Sequence, residues 1–534
     1  MALNRTSGLW HDKFYMYKNF PVSLKQAIST LLMIVSAAFA LFYWQGHQGF
    51  SLWDEGFLWY GAQRTLEGEV PMRDFQAYDI GRYYWSAAFM SLWGNNGIVA
   101  LRMSTAIFQA IALYVSLSVL RRSATKQNFI FWLLTTVTLL AWMAPQYRLF
   151  DISIPVLLVS VFAFLVAQPS RRRYFLTGLV VGLAAVFGRN HGLYGVVGSV
   201  SLMAYLTIRR EGGVSLISAC TAWASGIVVG YLPVLVFFAV VPGFAQAFVD
   251  GILLLFDIKG TNYSVPIPWP WLVPFEKLST VEALHGVGTG IFFIAIATFG
   301  VLGAIWIIRQ WLQNKAVSPV LAAAIFFALP YTHYAYSRAD LSHLAPGIPP
   351  FLMGVTALLT SQSAKIKWSF AVLLCGASLL VMFPRHPGLY CYFNQHCVDI
   401  KVGRDQLKVD GGTATNLAAL NRLAEQFAPG DRTFITTPFW SGAYAALGRK
   451  SPMWEIFAST PRSAVFQQAE VERIKAAHPG FAIIDDSPFD GRDDLRFHNT
   501  HPIIDQYIRD NFQPLNNTVR NPAFQIYISK QAGQ

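Results

Sequence analysis

Two adjacent carboxylates, Asp54 and Glu55, follow the first apolar segment, inside the run WDEGFLWYGAQRTLEGEVPMRDFQAYDIGRYYW that begins at Trp53. Ionisable side chains close to a membrane are costly and usually handle protons, ions or polar substrates. Either acid could act as a general base toward an acceptor hydroxyl or bind a divalent metal. The alternative is structural, because an acid at the start of a helix is stabilised by free backbone amides and the helix dipole. Both interpretations are open at this point.

A second charged group lies in the run YTHYAYSRADLSHLAPGIPP, which contains Arg338, Asp340 and His343. On one helical turn, Asp340 and His343 would share a face. The planar fork of an arginine suits the oxygens of a phosphate group. Arg338 and His343 are therefore candidate phosphate ligands. The alternative is an ion pair between Arg338 and Asp340 at a helix end, with His343 as an interfacial polar residue.

The run GRNHG, residues 188–192, predicts a short turn between two apolar segments. A turn needs Gly188 and Gly192 for backbone reasons alone, but it does not need Arg189 and His191. We therefore predict that Arg189 and His191 contact phosphate or substrate. Arg148 and Asp151, in the run PQYRLFD, resemble a simple ion pair more closely.

A long loop at 242–286 carries Lys259 and the run VPIPWPWLVP. Its proline and tryptophan content is typical of a lid over a site, or equally of interfacial anchoring. Lys259 adds a further cation to those that could hold an anionic substrate on this side of the chain.

Apolar helices must position these groups, because the chain is 54% hydrophobic and only 13% charged. A soluble protein is normally about a quarter charged. A helix needs about 20 mostly apolar residues to cross a bilayer. The first segment lacks a small-residue cleavage site, so we expect an anchor rather than a removable signal peptide. We predict eleven membrane segments: 27–45, 97–119, 128–144, 152–168, 174–188, 191–208, 214–241, 287–308, 318–336, 348–362 and 368–384.

Basic residues predict the orientation of these segments. The N-terminal tail and alternate short loops contain sixteen Lys and Arg against two acids, Asp12 and Glu211. With eleven spans, the N-terminal tail and all of these loops fall on the same side of the membrane. We therefore expect that side to be cytoplasmic. The formal net charge of +12 is mostly this topology signal, so we do not expect a nucleic-acid partner. We expect an integral membrane protein, and its placement in a bacterial inner membrane is what the family resemblance given below implies.

The composition changes after residue 384. The runs RTFITTP and FAIIDDSP predict strands, whereas NLAALNRLAEQFA and VFQQAEVERIKAAH predict helices. We predict a transmembrane domain at 1–384, with a catalytic first exterior loop at 46–96, and a soluble periplasmic α/β domain at 385–534. Cys391 and Cys397 could form a disulfide or stay free in that compartment. No zinc-type cysteine pattern, Walker loop or dinucleotide fingerprint occurs, and GIVVG reads as a helix-packing motif.

One resemblance joins these observations. A hydrophobic anchor, an acidic pair, the run WYGAQRTLEGEVPMRDF and the aromatic stretch YDIGRYYW around Arg82 together resemble the GT-C superfamily. More narrowly, they are similar to the bacterial branch related to protein O-mannosyltransferases and the lipid A aminoarabinose transferase. The resemblance covers the first exterior loop and, in architecture, the whole chain. It implies an α-helical multi-pass membrane protein of about eleven spans with a C-terminal extracytoplasmic α/β domain.

In function, the resemblance implies an inverting glycosyltransferase that takes a sugar from a polyprenyl-phosphate donor to a hydroxyl of a cell-envelope glycan, lipid or protein. The acid of the first exterior loop is then the catalytic base, which falls on Asp54, with Glu55 beside it. The resemblance is also compatible with a divalent metal bound by Glu55 or His343, although no spacing of candidate ligands in the sequence specifies a metal site. The candidates for binding donor phosphate or substrate are Arg82, Arg189, His191, Lys259, Arg338 and His343.

Two other classes of function remain possible for this protein. A transporter or flippase of a lipid-linked or polar substrate predicts internal repeats and charged residues near mid-span. We find no convincing repeat, and the charges cluster at one end of the segments. A polysaccharide ligase or polymerase shares the lipid-linked donor and the exterior Arg and His residues. It would not need an acidic pair so close to the first segment.

Overall fold

The structure is a computed structural model that describes residues 23–124, 127–209, 213–258, 260, 262–393, 397–515 and 524–530. The chain divides into two compact units. The first unit comprises Met1–Phe42, Thr105–Val236 and Asn262–His386, and the second comprises Tyr43–Ser104, Phe237–Thr261 and Pro387–Gln534. The second unit thus combines the first exterior loop and the C-terminal region. The division into functional domains at residue 384 stays a prediction.

Helices dominate the chain up to residue 386. In chain order they are α1 (Leu24–Gln45), α2 (Asp54–Leu66), α3 (Ile80–Trp93), α4 (Ile98–Arg122), α5 (Phe129–Ala141), α6 (Leu149–Ala167), α7 (Arg171–Phe187), α8 (Arg189–Ile208), α9 (Leu216–Val240), α10 (Phe244–Asp257), α11 (Thr280–Leu312), α12 (Pro319–Ser337), α13 (Leu341–Gly347), α14 (Pro349–Leu359) and α15 (Ala364–Met382). The predicted α-helical membrane architecture is confirmed. A helix coincides with each of the eleven predicted segments.

The predicted number of spans is not confirmed. Among the described residues, seven helices are long and apolar enough to cross a membrane, or eight if α13 and α14, which meet at a 48° bend, form one broken span. Some of the remaining segments are too short, such as α5 with its 13 residues. These helices are sufficient for an integral membrane protein.

Two glycine motifs hold α7 against α9 in the first unit. Gly178 and Gly182 of α7 face Gly226 and Gly230 of α9, and an added Cβ on Gly226 would overlap the carbonyl oxygen of Phe175. Small residues at this spacing let helix backbones approach closely in a membrane. The interpretation of GIVVG as a helix-packing motif is therefore confirmed.

This packing makes a testable prediction. Gly226→Ala is expected to destabilise the protein by about 1–3 kcal/mol, because the new methyl group overpacks the α7–α9 contact. Gly376→Ala is the matched control, since a Cβ there meets open space and alanine is the better helix former. Thermal unfolding in detergent measures both. Equal melting temperatures for the two variants would show that the close contact does not limit stability.

The core of the first unit lies around α12. Its alanine-rich first half, LAAAIFFA, packs against α6, α8, α11 and α14. Phe162 of α6 and Phe327 of α12 are fully buried, with ring centroids 5.0 Å apart. The C-terminal end of α12 carries tyrosines and a histidine instead of apolar residues, so polar side chains replace the apolar core at this end of the helix.

The C-terminal part of the second unit is an α/β assembly, as predicted. Its elements are α16 (Pro387–Phe393), β1 (Val398–Val402), β2 (Asp405–Val409), α17 (Gly411–Phe427), β3 (Ile435–Thr437), α18 (Ser441–Leu447), α19 (Ala464–Ala477), β4 (Phe481–Asp485), α20 (Phe497–Thr500), α21 (Pro502–Asn511), β5 (Phe512–Leu515) and β6 (Phe524–Ser529). The four-stranded sheet has the order β3-β4-β6-β5, and β3 and β4 run parallel. Strand β4 is buried at every position, as its continuous apolar run indicates.

Helix α2 is buried within the protein. Its aromatic residues are typical of a helix lying in the membrane interface, but Phe57, Leu58, Trp59 and Tyr60 are all buried within the protein. The reason is a close approach to α18, where Gly56 and Gly442 touch and an added Cβ on either would clash. The start of α2, which carries the acidic pair, is therefore fixed by packing rather than by lipid. Cys391 and Cys397 form a disulfide, with Cα atoms 5.4 Å apart.

Candidate active site

Glu55 is bound to a buried arginine. Its two carboxylate oxygens accept hydrogen bonds from Nε and Nη2 of Arg102, at 2.7 and 2.8 Å. Arg102 also donates to the carbonyl oxygens of Gly46 and Gly49, at 2.8 and 2.7 Å. Glu55 and Arg102 expose only 5% and 3% of their surface, so this bidentate pair lies in a low-dielectric environment. It ties the N-terminal turn of α2 to α4 and to the segment that precedes α2.

Asp54 has a different environment from its neighbour. It is the first residue of α2 and is half-buried. The backbone amides and dipole of the helix favour a negative charge at this position. Trp53, the residue before it, stacks on Phe439 with ring centroids 4.9 Å apart and keeps 37% of its surface exposed. Asp54 is therefore only half-buried, whereas Glu55 points into the interior of the second unit.

Aromatic side chains continue from Trp53 along the same unit. Phe57 of α2 contacts the ring of Tyr78 at 4.9 Å, and the guanidinium of Arg82 lies 5.0 Å from the Tyr78 centroid. Arg82 itself is buried, whereas Tyr78 is 44% exposed. Arg82 thus supports this aromatic group from inside through a cation–π contact.

In the first unit, His191 is fully buried between two partners. Its Nε2 lies 3.1 Å from an oxygen of Asp151, and its Nδ1 lies 3.0 Å from the hydroxyl of Tyr331. Arg148 approaches the other Asp151 oxygen at 3.7 Å, which agrees with the ion pair expected there. The Asp151 carboxylate fixes the orientation of the imidazole, as a carboxylate commonly does for a functional histidine.

The turn predicted over GRNHG is confined to Gly188, where the chain reverses between the antiparallel helices α7 and α8. Helix α8 begins at Arg189, and Gly188 has an ordinary extended backbone (φ −170°). Gly192 lies inside α8, where an added Cβ would clash with Ala185 of α7. Gly192 is therefore needed for helix packing, and His191 is carried into the interior by the first turn of α8. Arg189, at the start of that turn, is half-buried.

Asp340 organises the second cationic group. It accepts a hydrogen bond from Nε of Arg338 at 2.7 Å, lies 2.8 Å from Nδ1 of His343, and caps α13 by accepting from the His343 amide at 2.9 Å. Burial alone would raise the pKa of this carboxyl group, but the hydrogen bonds and charges of His343 and Arg338 outweigh it and hold the pKa well below its usual value. Asp340 is therefore ionised and orients both neighbours.

Tyr334 connects the two groups of the first unit. Its ring stacks on His191 at 5.6 Å and approaches His343 at 5.9 Å. Arg148 and Arg338 both act electrostatically on His343. The site of the first unit is thus one continuous polar cluster at the C-terminal end of α12 and the N-terminal ends of α6, α8 and α13. We call it the polar cluster, and its members are Arg148, Asp151, His191, Tyr331, Tyr334, Arg338, Asp340 and His343.

Comparison with known proteins identifies the architecture. Neither protein-family models nor curated protein sequences give a match. The structure is similar to the crystal structure of ArnT from Cupriavidus metallidurans bound to undecaprenyl phosphate, with a TM-score of 0.53 at 12% identity over 93% of this chain and 97% of that chain. The apo form of the same protein is similar with a TM-score of 0.50 at 13% identity, over 94% of this chain and 98% of that chain. ArnT is a GT-C protein. The chain has the GT-C fold. The comparison with the oligosaccharyltransferase of Archaeoglobus fulgidus in its apo form gives a TM-score of 0.44 at 11% identity, over 95% of this chain and 73% of that chain.

Within this GT-C fold, the predicted site residues fall into two sets. The second unit holds Asp54, Glu55 and Arg82, and the first unit holds Arg189, His191, Arg338 and His343. The polar cluster brings three of these four together, namely His191, Arg338 and His343. Lys259 lies outside the described residues.

Some members of the site were missed by the sequence analysis. Tyr331 and Tyr334 are spaced i,i+3 in the run YTHYAYS, which places them on one face of α12. Arg102 is a lone charge in the apolar run IVALRMSTAIF. A charged side chain within an apolar segment needs a partner of opposite charge. The sequence could therefore have indicated that Arg102 forms an ion pair, here with Glu55.

The described residues do not provide the metal site that the sequence left open. No group of three or more His, Cys, Asp or Glu side chains in the described part of the chain is arranged to hold a metal ion. Both oxygens of Glu55 are bound to Arg102, and Nδ1 of His343 faces Asp340. The donor set in the described part of the chain therefore does not fit a metal bound by Glu55, since Arg102 holds both of its oxygens.

Proposed function

We propose that this protein is a membrane glycosyltransferase that transfers a sugar, with inversion, from a polyprenyl-phosphate donor to an acceptor hydroxyl on a cell-envelope glycan, lipid or protein. The observation that carries the proposal is the polar cluster, in which Asp340 orients Arg338 and His343. Support also comes from the fold, since the similar ArnT structure is bound to undecaprenyl phosphate. The predicted orientation would place this chemistry on the periplasmic face.

The donor phosphate is assigned to the first unit. A guanidinium has five N–H donors, so an arginine that a carboxylate holds at Nε can still bind phosphate oxygens. Arg338 and Arg148 supply the charge, and His343 supplies a further hydrogen bond. Arg189, at the start of α8, and Lys259 are assigned to the same substrate as further cations.

Asp54 is assigned as the general base. It accepts the proton of the acceptor hydroxyl while that oxygen attacks the anomeric carbon from the face opposite the phosphate. The bond between the anomeric carbon and the phosphate oxygen breaks, and its electron pair leaves with the carrier phosphate. One displacement inverts the anomeric configuration, and no covalent enzyme intermediate is required. Glu55 is assigned as a positioning residue, because Arg102 holds both of its oxygens.

The proposal is tested with purified protein in lipid nanodiscs supplied with polyprenyl-phosphate sugars and envelope acceptors. Transfer of the sugar with release of polyprenyl phosphate, and an inverted anomeric configuration by NMR, is the expected result. In proteoliposomes, movement of an intact lipid-linked substrate across the bilayer without cleavage of the sugar–phosphate bond would instead favour a flippase. Transfer of whole preassembled polysaccharide chains from a lipid carrier would favour a ligase.

Arg338→Gln is expected to raise the KM for the donor about 10- to 100-fold, because a charge-assisted hydrogen bond to phosphate contributes about 1.5–3 kcal/mol. The KM for the acceptor should stay close to that of the wild type. Arg309→Gln is the matched control, since Arg309 is an exposed arginine near the end of α11. Steady-state kinetics with each substrate varied in turn separates the two effects. An unchanged donor KM in Arg338→Gln would remove Arg338 from the phosphate site.

A further inference from the structure

A groove of about 580 Å³ lies between α7 and α9 in the first unit. Its lining combines two guanidinium groups, two hydroxyl groups and an apolar floor, contributed by Arg171, Arg172, Phe175, Thr221, Ala222 and Ser225. No aspartate or glutamate is among these lining residues, so the lining carries positive charge and no negative charge.

The arginines of the run Arg171–Arg173 have different roles. Arg173 is engaged within the protein, since it donates to the Phe164 carbonyl oxygen at 2.6 Å and to the Gln168 side chain at 2.9 Å. Arg171 and Arg172 are exposed, and neither makes a hydrogen bond or ion pair with any residue in the described ranges. The exposed pair is thus available to an external anion, while Arg173 anchors the start of α7.

The packing of the two helices places this charge at one membrane face. Gly178 of α7 contacts α9 near Trp223, and Gly182 contacts it near Ile227, so the two helices run in the same direction. Both N-terminal ends, where the helix dipoles are positive, therefore lie at the same end of the pair. That end carries the basic loops from which the sequence predicts the cytoplasmic side.

The rest of the groove suits hydrocarbon. Phe175 and Ala222 form its floor, and Ile217 and Val228 on α9 expose 79% and 55% of their surface. A free phosphate ion would use only the guanidinium end. A ligand with an anionic head and an acyl chain would use both parts, as lipids do in basic pockets between membrane helices.

We propose that this groove binds an anionic phospholipid, with the phosphodiester at Arg171 and Arg172 and an acyl chain along Phe175 and Ala222. The site is separate from the donor site of the proposed reaction. Helix α7 has 17 residues, so its two ends are about 25 Å apart, and the polar cluster includes His191 just beyond the far end. The inference therefore does not depend on the proposed function.

Thermal unfolding of the whole protein in a neutral detergent tests the site, with phosphatidylglycerol, phosphatidylcholine or inorganic phosphate added in turn. Wild-type protein should be stabilised by phosphatidylglycerol at concentrations that have no effect for the other two, because a ligand that binds the folded state raises the melting temperature. The variant Arg171→Gln/Arg172→Gln should need about 30-fold more phosphatidylglycerol for the same shift, since each arginine near a lipid head group contributes about 1 kcal/mol.

A charge-matched control is Arg309→Gln/Lys315→Gln, which removes two exposed charges predicted to lie on the same face. It should respond to phosphatidylglycerol like the wild type. If both double variants lost their stabilisation by phosphatidylglycerol equally, the proposed site would be wrong. The lipid would then be attracted by surface charge in general. An equal stabilisation of the wild type by inorganic phosphate would overturn the lipid assignment. Native mass spectrometry gives an independent count of bound lipid for any variant whose stability has changed.

Discussion

Asp54→Asn is expected to lower kcat for sugar transfer by about 10²–10⁴-fold, with little change in the KM for the donor. The substitution keeps the shape of the side chain and removes only its ability to take a proton, and a positioned general base typically contributes this much. Because Asp54 is half-buried at the first turn of α2, the asparagine fits without disturbing the helix. Single-turnover assays with saturating donor and acceptor measure the effect on the chemical step.

The control for Asp54 is Asp250→Asn, which neutralises an exposed acid of α10 in the same unit. It should transfer sugar at the wild-type rate. Its only described side-chain partner is Gln246, at 2.7 Å. If Asp54→Asn kept the wild-type kcat while its melting temperature was unchanged, Asp54 would not be the base. A large rise in the donor KM alone would instead assign Asp54 to substrate binding.

The sequence was most informative where a short segment contains all of the interacting residues. Arg338, Asp340 and His343 lie within six residues, so their shared face could be predicted, and the structure shows both the ion pair and the histidine contact. The same holds for the strands and helices of the C-terminal region, whose periodicity is local. Local patterns determine which face of an element is apolar, and this is the information that hydrophobic periodicity carries.

The sequence was less informative where partners come from distant segments. Glu55 and Arg102 are 47 residues apart, and His191 meets Tyr331 from 140 residues away. Periodicity does not say which two helices are neighbours, so neither pair could be derived. The glycines of GRNHG show the same limit, since Gly192 is required by a contact with Ala185 that no local turn rule describes. The count of spans is not confirmed for a different reason. Among the described residues, several of the predicted segments form helices that are too short or too polar to be counted as spans by length and composition.

The Glu55–Arg102 pair distinguishes a positioning residue from a catalytic one. Glu55→Gln is expected to reduce the free energy of unfolding by about 3–5 kcal/mol, because it leaves the buried charge of Arg102 without its counter-ion. Glu67→Gln is the matched control. Glu67 directly follows the last residue of the same helix and pairs with Arg64 while remaining half exposed, and such a pair contributes about 0–1 kcal/mol. Thermal unfolding in detergent measures both variants.

A double-mutant cycle separates the pair from the groups around it. Arg102→Met should also be strongly destabilising, because the carbonyl oxygens of Gly46 and Gly49 lose their donor. The double variant Glu55→Gln/Arg102→Met should be less unstable than the sum of the single changes, since neither charge is then buried alone. Additive losses would show that the two side chains are not energetically coupled. If Glu55 only positions the start of α2, any folded Glu55→Gln protein should keep a pH–rate profile of wild-type shape. A loss of the acidic limb of that profile, where a general base becomes protonated, would show that Glu55 itself takes the proton.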